Sequence, residues 1–472
     1  MSTGLFQFVN APTSTITIDA PVGDDLFYFE AYDLQNAQGQ VLADTWVEKN
    51  IILGAANTIS ATLNGVVASI GLALGNPAPN AGVSATTPVN VTTYDLDGDV
   101  ILSPGDYDQI VRLSIVDPAN SGTLSLSTST IPNSTTTSTL TYNGGTLSTA
   151  TVVAKATGIP TVSTAFAPTP TFYQFSIPVG TNKPQWIAAG SDGNMWFTEF
   201  PGNAVARITP AGVVTEFAIP TAASNPQNII GSSDGKLWFT EFATSKIGNV
   251  TTSGTFTEFS TLFAPNDGPQ GLVDRADGNV WYVGLSGNHV GYQGITSGLA
   301  GETTITTPSS QPFGVAEAPD LNLYFTESAA GVNKIGRIPN LLGTITEVAL
   351  TAGTHPLQIV LGPDKNLWFT ENGVNKIGRL APGSFSVTGE FPTLTANSTP
   401  TGITVGADGA LWFTETGQDK IGRITTGGVV TEYSSPVTGL ALQGIATGPD
   451  GSLWFTEPGS GLNPGKIGRL VY

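Results

Sequence analysis

Carboxylates and amines recur in this chain at matching places. Glu241, Glu327, Glu371, Glu415 and Glu457 each close a Trp/Tyr-Phe-Thr-Glu phrase, and Lys246, Lys334, Lys376, Lys420 and Lys466 open the phrase that follows. Such pairs could serve acid–base chemistry, but a pair present in nearly every unit points to architecture, as cross-strand ion pairs. The third unit agrees, because Gly284 and His289 replace both members at once. Glu199 meets Ala204 in the Lys position and is expected to be the free carboxylate of the set.

Other reactive residues are few. The chain has no Cys, which excludes disulfides, thiolate catalysis and Cys-ligated metals. Its two His residues, His289 and His355, have structural or surface roles as their plain reading. Asp95, Asp97, Asp99 and Asp106 are spaced rather like a calcium loop. Gly98, however, stands fourth, where an EF-hand needs Gly sixth. The set is therefore a weak candidate for Ca²⁺ or Mg²⁺, set against a solvated acidic β-turn. No other cofactor is indicated, and no Ser-His-Asp set or phosphate loop stands out.

The elements that carry these residues repeat. The phrase centres on Trp196, Trp238, Trp281, Tyr324, Trp368, Trp412 and Trp454, spaced 42, 43, 43, 44, 44 and 42 residues apart. A period of about 40–50 residues with several short strands per unit signals a β-propeller. Each unit reads as four strands. An inner strand begins near a Pro, as in Pro226-Gln227-Asn228-Ile229, and a turn such as Asp234-Gly235 follows. The Trp-Phe-Thr-Glu strand, the Lys-Ile-Gly-Arg strand and an outer strand such as Val213–Phe217 complete the unit. The last unit stops at Leu470-Val471-Tyr472 without its outer strand, and a matching phrase, Phe172–Pro178, precedes the first. The expectation is a closed seven-bladed ring in which that strand completes the last blade and removes an exposed sheet edge.

The repeat "DGxLWFTE…NKIGRIT…G.VTEY..P" resembles the seven-bladed propellers of the streptogramin B lyases (virginiamycin B lyase) over roughly residues 172–472. The resemblance implies a catalytic His just inside the last blade's inner strand and a metal-binding Glu two residues before it. It also implies a substrate-binding His in the sixth blade and a second metal-binding Glu beyond the last blade's second strand. Here those places hold Gln443, Ala441, Thr401 and, near the last of them, Glu457. Glutamine cannot take a proton near neutral pH and does not replace the base.

The residue after each inner-strand Pro is expected to face the channel mouth. Gln443, Gln185, Gln227 and Gln270 fill four contiguous positions, and Phe313, Leu357 and Thr401 fill the rest, with Trp186 beside Gln185 and His355 just ahead of Pro356. Amides with an aromatic suit a neutral polar ligand such as a glycan or peptide. The alternative is that the Gln side chains bond to one another and to water in a plugged channel.

Residues 1–160 hold 13 acidic and 3 basic residues and many short strand-like runs, among them Thr15–Ile18, Leu26–Phe29, Asn57–Leu63, Val89–Thr92, Ile110–Ile115 and Ser138–Tyr142. They read as a short or partial immunoglobulin-like module over 1–65 and an immunoglobulin-like β-sandwich over 66–159. A Pro-rich linker over 160–171 and the propeller over 172–472 follow. An incomplete first module invites self-association through its edge. The net charge of −19 disfavours nucleic acid and anionic membranes. The apolar run Gly65–Leu74 is too short to span a bilayer and reads as a strand. Composition suggests an exported or cell-surface bacterial protein without a signal segment in this chain. The fold class is all-β, immunoglobulin-like modules before a propeller. The favoured function is binding or surface structure, and the alternative is a metal-dependent C–O lyase acting on a cyclic ester or glycan-like substrate.

Overall fold

The computed structural model describes residues 23–34, 38–52, 64–95, 100–101, 106–117, 121–145, 150–178, 182–262, 265–339, 343–459 and 465–472. Among them the chain is almost wholly β, with one short 3-10 turn at Asn372–Val374. It divides into two compact units, Met1–Thr169 and Pro170–Val471.

The first unit holds a long hairpin, Gly23–Leu34 with Gln38–Ile51, to which Asn64–Gly65 adds a short strand. Two four-stranded antiparallel sheets follow. One orders Ser69–Leu74, Ala85–Tyr94, Ser138–Tyr142 and Leu124–Leu126, and the other Val162–Phe166, Ala150–Lys155, Val111–Val116 and Thr130–Ile131. Val111, Leu140, Tyr142, Val152 and Phe166 are buried in their common core. The alternation of buried Ala150, Val152 and Ala154 with more open neighbours is the period-2 signature of a strand with one face inward. The segment expected as a linker, 160–171, carries the strand Val162–Phe166, which pairs with Ala150–Lys155. Pro160 stands ahead of that strand, where its missing N–H costs no ladder bond. The runs Thr15–Ile18 and Asn57–Leu63, with Asp97 and Asp99, lie outside the described residues.

Among the described residues the second unit forms seven four-stranded antiparallel sheets. The first comprises Lys183–Ala189, Met195–Phe200, Ala204–Ile208 and Val214–Ala218 from inner to outer strand, and the next five repeat the order. Each inner strand lies beside the inner strand of the next sheet, and that of the seventh lies beside the first, so the cycle closes. The seventh sheet takes its outer strand from the start of the unit: Thr171–Ser176 pairs with Lys466–Val471, Phe172 opposite Leu470 and Phe175 opposite Ile467.

Repetition follows from packing. In the first sheet Trp196 stacks on Phe217 of its own outer strand, centroids 5.3 Å apart, and Trp412 on Tyr433 at 5.5 Å. Trp454 stacks on Phe175 at 5.5 Å, so the closing strand supplies the same partner from the other end of the unit. The Arg of Lys-Ile-Gly-Arg lies over the Trp ring and pairs with the turn Asp: Arg423 Nε is 2.7 Å from Asp408, which also accepts Trp412 Nε1–H at 3.0 Å. The Gly of that phrase is required by its neighbour, since a Cβ on Gly422 would come within 2.1 Å of the Phe413 ring. Deleting residues 171–178 should leave Lys466–Val471 as an open edge, lowering the melting temperature and promoting association. Calorimetry and light scattering read both, and unchanged melting and solubility would contradict the closure.

Candidate functional site

The inner strands begin with a bulge that sequence reasoning did not detect. Pro226 pairs with Glu241 and Ile229 with Phe239, so Gln227 and Asn228 stand opposite Thr240 alone. The same register shift follows Pro184, Pro269, Pro312, Pro356 and Pro400. A bulge re-aims side chains and strands backbone groups that need partners. The Thr of Trp-Phe-Thr-Glu supplies them. Thr414 Oγ1 accepts the Gly402 N–H at 2.9 Å and donates to the Gln443 carbonyl of the next sheet at 2.7 Å. Thr456 does the same with the Gly444 N–H and the Gln185 carbonyl, tying the last sheet to the first. Recurrence in six of seven units, with Val283 in the third, was the available signal.

The bulge decides where the expected mouth residues go. Gln185 Nε2 donates to the Lys183 carbonyl at 3.2 Å and Gln227 Nε2 to Asn225 Oδ1 at 2.9 Å, each bonding back to its own strand entrance. Gln443 Oε1 is buried with no hydrogen-bond partner among the described residues. Thr401 Oγ1 donates to the Thr399 carbonyl and accepts from Thr416 at 2.8 Å, while Gln270 is buried and Leu357 half-buried. Trp186 packs against Phe313, ring centroids 6.0 Å apart. These belong to the first and fourth sheets, so the contact crosses the channel. The channel also contains a cavity of about 270 Å³. Trp186 lines it, together with Asn228 and Gln358 one residue beyond the expected positions.

His355 occupies a left-handed backbone conformation, φ 43°, and its N–H donates to Asn333 Oδ1 at 2.9 Å. Its Nδ1 lies 3.1 Å from the Ser328 carbonyl. A carbonyl can only accept, so Nδ1 carries the proton and Nε2 is the acceptor nitrogen. His289 is buried, with Nδ1 3.2 Å from Asp267 Oδ1. Asp267 occupies the space that Gly284 leaves open, since a Cβ on Gly284 would come within 2.0 Å of Asp267 Oδ1. The third unit therefore keeps an acid–base pair by drawing its carboxylate from a loop.

The repeated Glu and Lys residues correct the expected pairing. Glu415 and Lys420 are opposite in register, yet Lys420 Nζ pairs with Glu432 of the outer strand at 2.9 Å. Lys334 pairs likewise with Glu347, Lys376 with Glu390 and Lys246 with Glu258. The reason is burial. Glu199, Glu241, Glu327, Glu371, Glu415 and Glu457 are all 0 % exposed, while Lys334, Lys376 and Lys420 keep their ammonium groups partly in water beside the outer Glu. Burial pushes the carboxyls of Glu199, Glu327, Glu371 and Glu457 up to about 7, and those of Glu241 and Glu415 to about 8. The outer Glu adds to the rise for all but Glu457. Glu199 is not free as expected: Asn182 Nδ2 donates to its Oε2 at 3.0 Å.

Glu457 does not fit the metal that the family resemblance implies. Gln174 Nε2 donates to both its oxygens, at 3.0 and 2.8 Å, and Ala441 has no ligating side chain. In the acidic segment, Asp106 accepts Asn133 Nδ2–H at 3.0 Å and Asp95 is buried. Among the described residues no three His, Asp or Glu side chains are grouped to hold a metal.

A closed cycle of four-stranded sheets around a channel defines a β-propeller. The sequence profile of the Virginiamycin B lyase family matches residues 166–299 and 294–471, and the chain belongs to that family. It is similar to a streptogramin B lyase structure, with 33% identity over 64% of this chain and 97% of that one, TM-score 0.59. It is equally similar to a catalytically inactive variant of virginiamycin B lyase from Staphylococcus aureus with quinupristin: 33% identity, 64% of this chain, 100% of that chain, TM-score 0.59. The WD40 β-propeller domain of Doa1 shares the fold at 11% identity and TM-score 0.50, over 63% of this chain and 96% of that one. Among curated proteins none matches the chain. No helix among the described residues is long and apolar enough to cross a membrane.

Proposed function

We propose that this is a seven-bladed member of the family, carried behind immunoglobulin-like modules, that binds at its channel mouth without cleaving. The observation that carries the reading is the set of seven mouth positions, Gln185, Gln227, Gln270, Phe313, Leu357, Thr401 and Gln443, none of them His. An amide offers a donor and an acceptor but no titratable nitrogen, so it holds a neutral polar group and moves no proton. A glycan or a peptide has that chemistry, and an exported or surface-bound protein would meet either. Titration calorimetry against neutral glycans and peptides should give binding that weakens about tenfold in Gln185→Ala or Gln227→Ala, as loss of one or two hydrogen bonds predicts. Binding untouched by both substitutions would contradict a role for the mouth.

A second reading, a C–O lyase with a different base, has one specific observation in its favour. His355 holds Nδ1–H against the Ser328 carbonyl, which makes Nε2 the acceptor nitrogen of the neutral ring beside the fifth inner strand. That is the tautomer a general base needs.

A further inference from the structure

We propose that the channel holds a second binding site, beyond Trp186 at the end away from the mouth, that takes a small neutral polyol or monosaccharide. Its position follows from the lining. The cavity runs along Trp186–Ala189, Asn228–Gly231 and Ile445–Thr447, from the second residue after the entrance to the turn that ends each inner strand. None of the seven mouth side chains lines it. Trp186 meets Phe313 across the channel at the near end, so the two rings stand between this cavity and the mouth.

The chemistry of the walls selects the ligand. No ionisable side chain lines the cavity, and an ion placed there would lose its hydration without a counter-charge. Gln358 lines the cavity, and an amide side chain offers a hydroxyl both a donor and an acceptor. The Asn228 side chain lies in the same wall, 5 % exposed. Thr447 Oγ1 spends its hydrogen on the Val405 carbonyl at 2.6 Å and keeps its lone pairs as acceptors. Trp186, Ile403 and Ile445 also line the cavity, and apolar side chains of this kind suit the C–H face of a sugar ring. A volume of about 270 Å³ is just below the range of about 300–1,000 Å³ typical of sites for drug-sized ligands, so one ring fits and a chain does not.

This inference rests on the propeller fold and is independent of binding at the mouth. The test uses the full chain with glucose, galactose, N-acetylglucosamine and glycerol as probes, read by saturation-transfer NMR and calorimetry. Gln358→Leu should weaken binding at least tenfold, while Gln185→Ala, at the mouth, should not. Should Gln358→Leu fail to fold, Ala446→Leu fills the same cavity from another strand and should give the same loss. Binding lost in Gln185→Ala but retained in Gln358→Leu would assign the ligand to the mouth and overturn the proposal. No binding of any of the four probes to the unmodified protein would also overturn it, leaving the mouth reading to its own glycan and peptide assay.

Discussion

The protein should melt at a distinctly higher temperature at pH 5 than at pH 8. Six buried glutamates carry the effect. In the unfolded chain each titrates near 4.5, and in the folded protein near 7 or 8. Between those values the folded state holds protons that the unfolded state has released, so stability falls as pH rises from about 4.5 to about 8 and then levels. The outer-strand residues Glu258, Glu347, Glu390 and Glu432 act in the other direction. Burial alone would raise Glu347, but hydrogen bonds from Lys334, Thr306 and Thr307 outweigh it and hold the carboxyl at about 2. Its contribution is present above 4.5 and is lost as pH falls towards 2. The two sets place the stability maximum near pH 4–5. A single carboxyl held near 7 corresponds to about 3 kcal/mol between pH 4.5 and 7, and on the order of 5 °C in Tm. General repulsion from a net charge of −19 also relaxes on acidification. Glu415→Gln separates the two, because an amide imitates the protonated acid facing Glu432. It should raise Tm at pH 8 and change it little at pH 5. A flat or rising Tm from pH 5 to pH 8, with Glu415→Gln destabilising at both, would contradict the assignment.

The parts of this fold that were legible are those where one residue answers another at a fixed period. Trp454 without an outer-strand partner in its own unit, and Phe175 without a unit of its own, pointed to each other across the sequence, and they stack at 5.5 Å. The joint loss of Glu and Lys at Gly284 and His289 marked the third unit as different, but the Lys of other units pairs with an outer-strand Glu instead. What was not legible depends on depth and direction. A Glu opposite a Lys in register looks like an ion pair. Alternation cannot say that one side is sealed from water while the outer-strand Glu432 sits closer to the ammonium. The bulge after Pro226 and Pro356 was not legible either, and Asn228 and Gln358, one residue beyond the expected mouth positions, line the cavity. Trp186 meeting Phe313 is a contact between non-adjacent sheets, and no local pattern encodes it. Val162–Phe166 was hidden by the prolines around it.

The chain has the propeller of the Virginiamycin B lyase family, and we propose that it lacks the proton-transfer machinery of a lyase. Gln443 cannot act as a base, Ala441 cannot bind a metal, and Glu457 is held by Gln174. Loss of a general base costs about 10²–10⁴ in rate, and loss of a metal's Lewis acidity adds to it. The most direct measurement is linearisation of a streptogramin B substrate by the purified full chain, with and without Mg²⁺, beside His355→Ala. No turnover above the buffer rate is expected in any of these. Metal-dependent turnover that disappears in His355→Ala would contradict it and make His355 Nε2 the base.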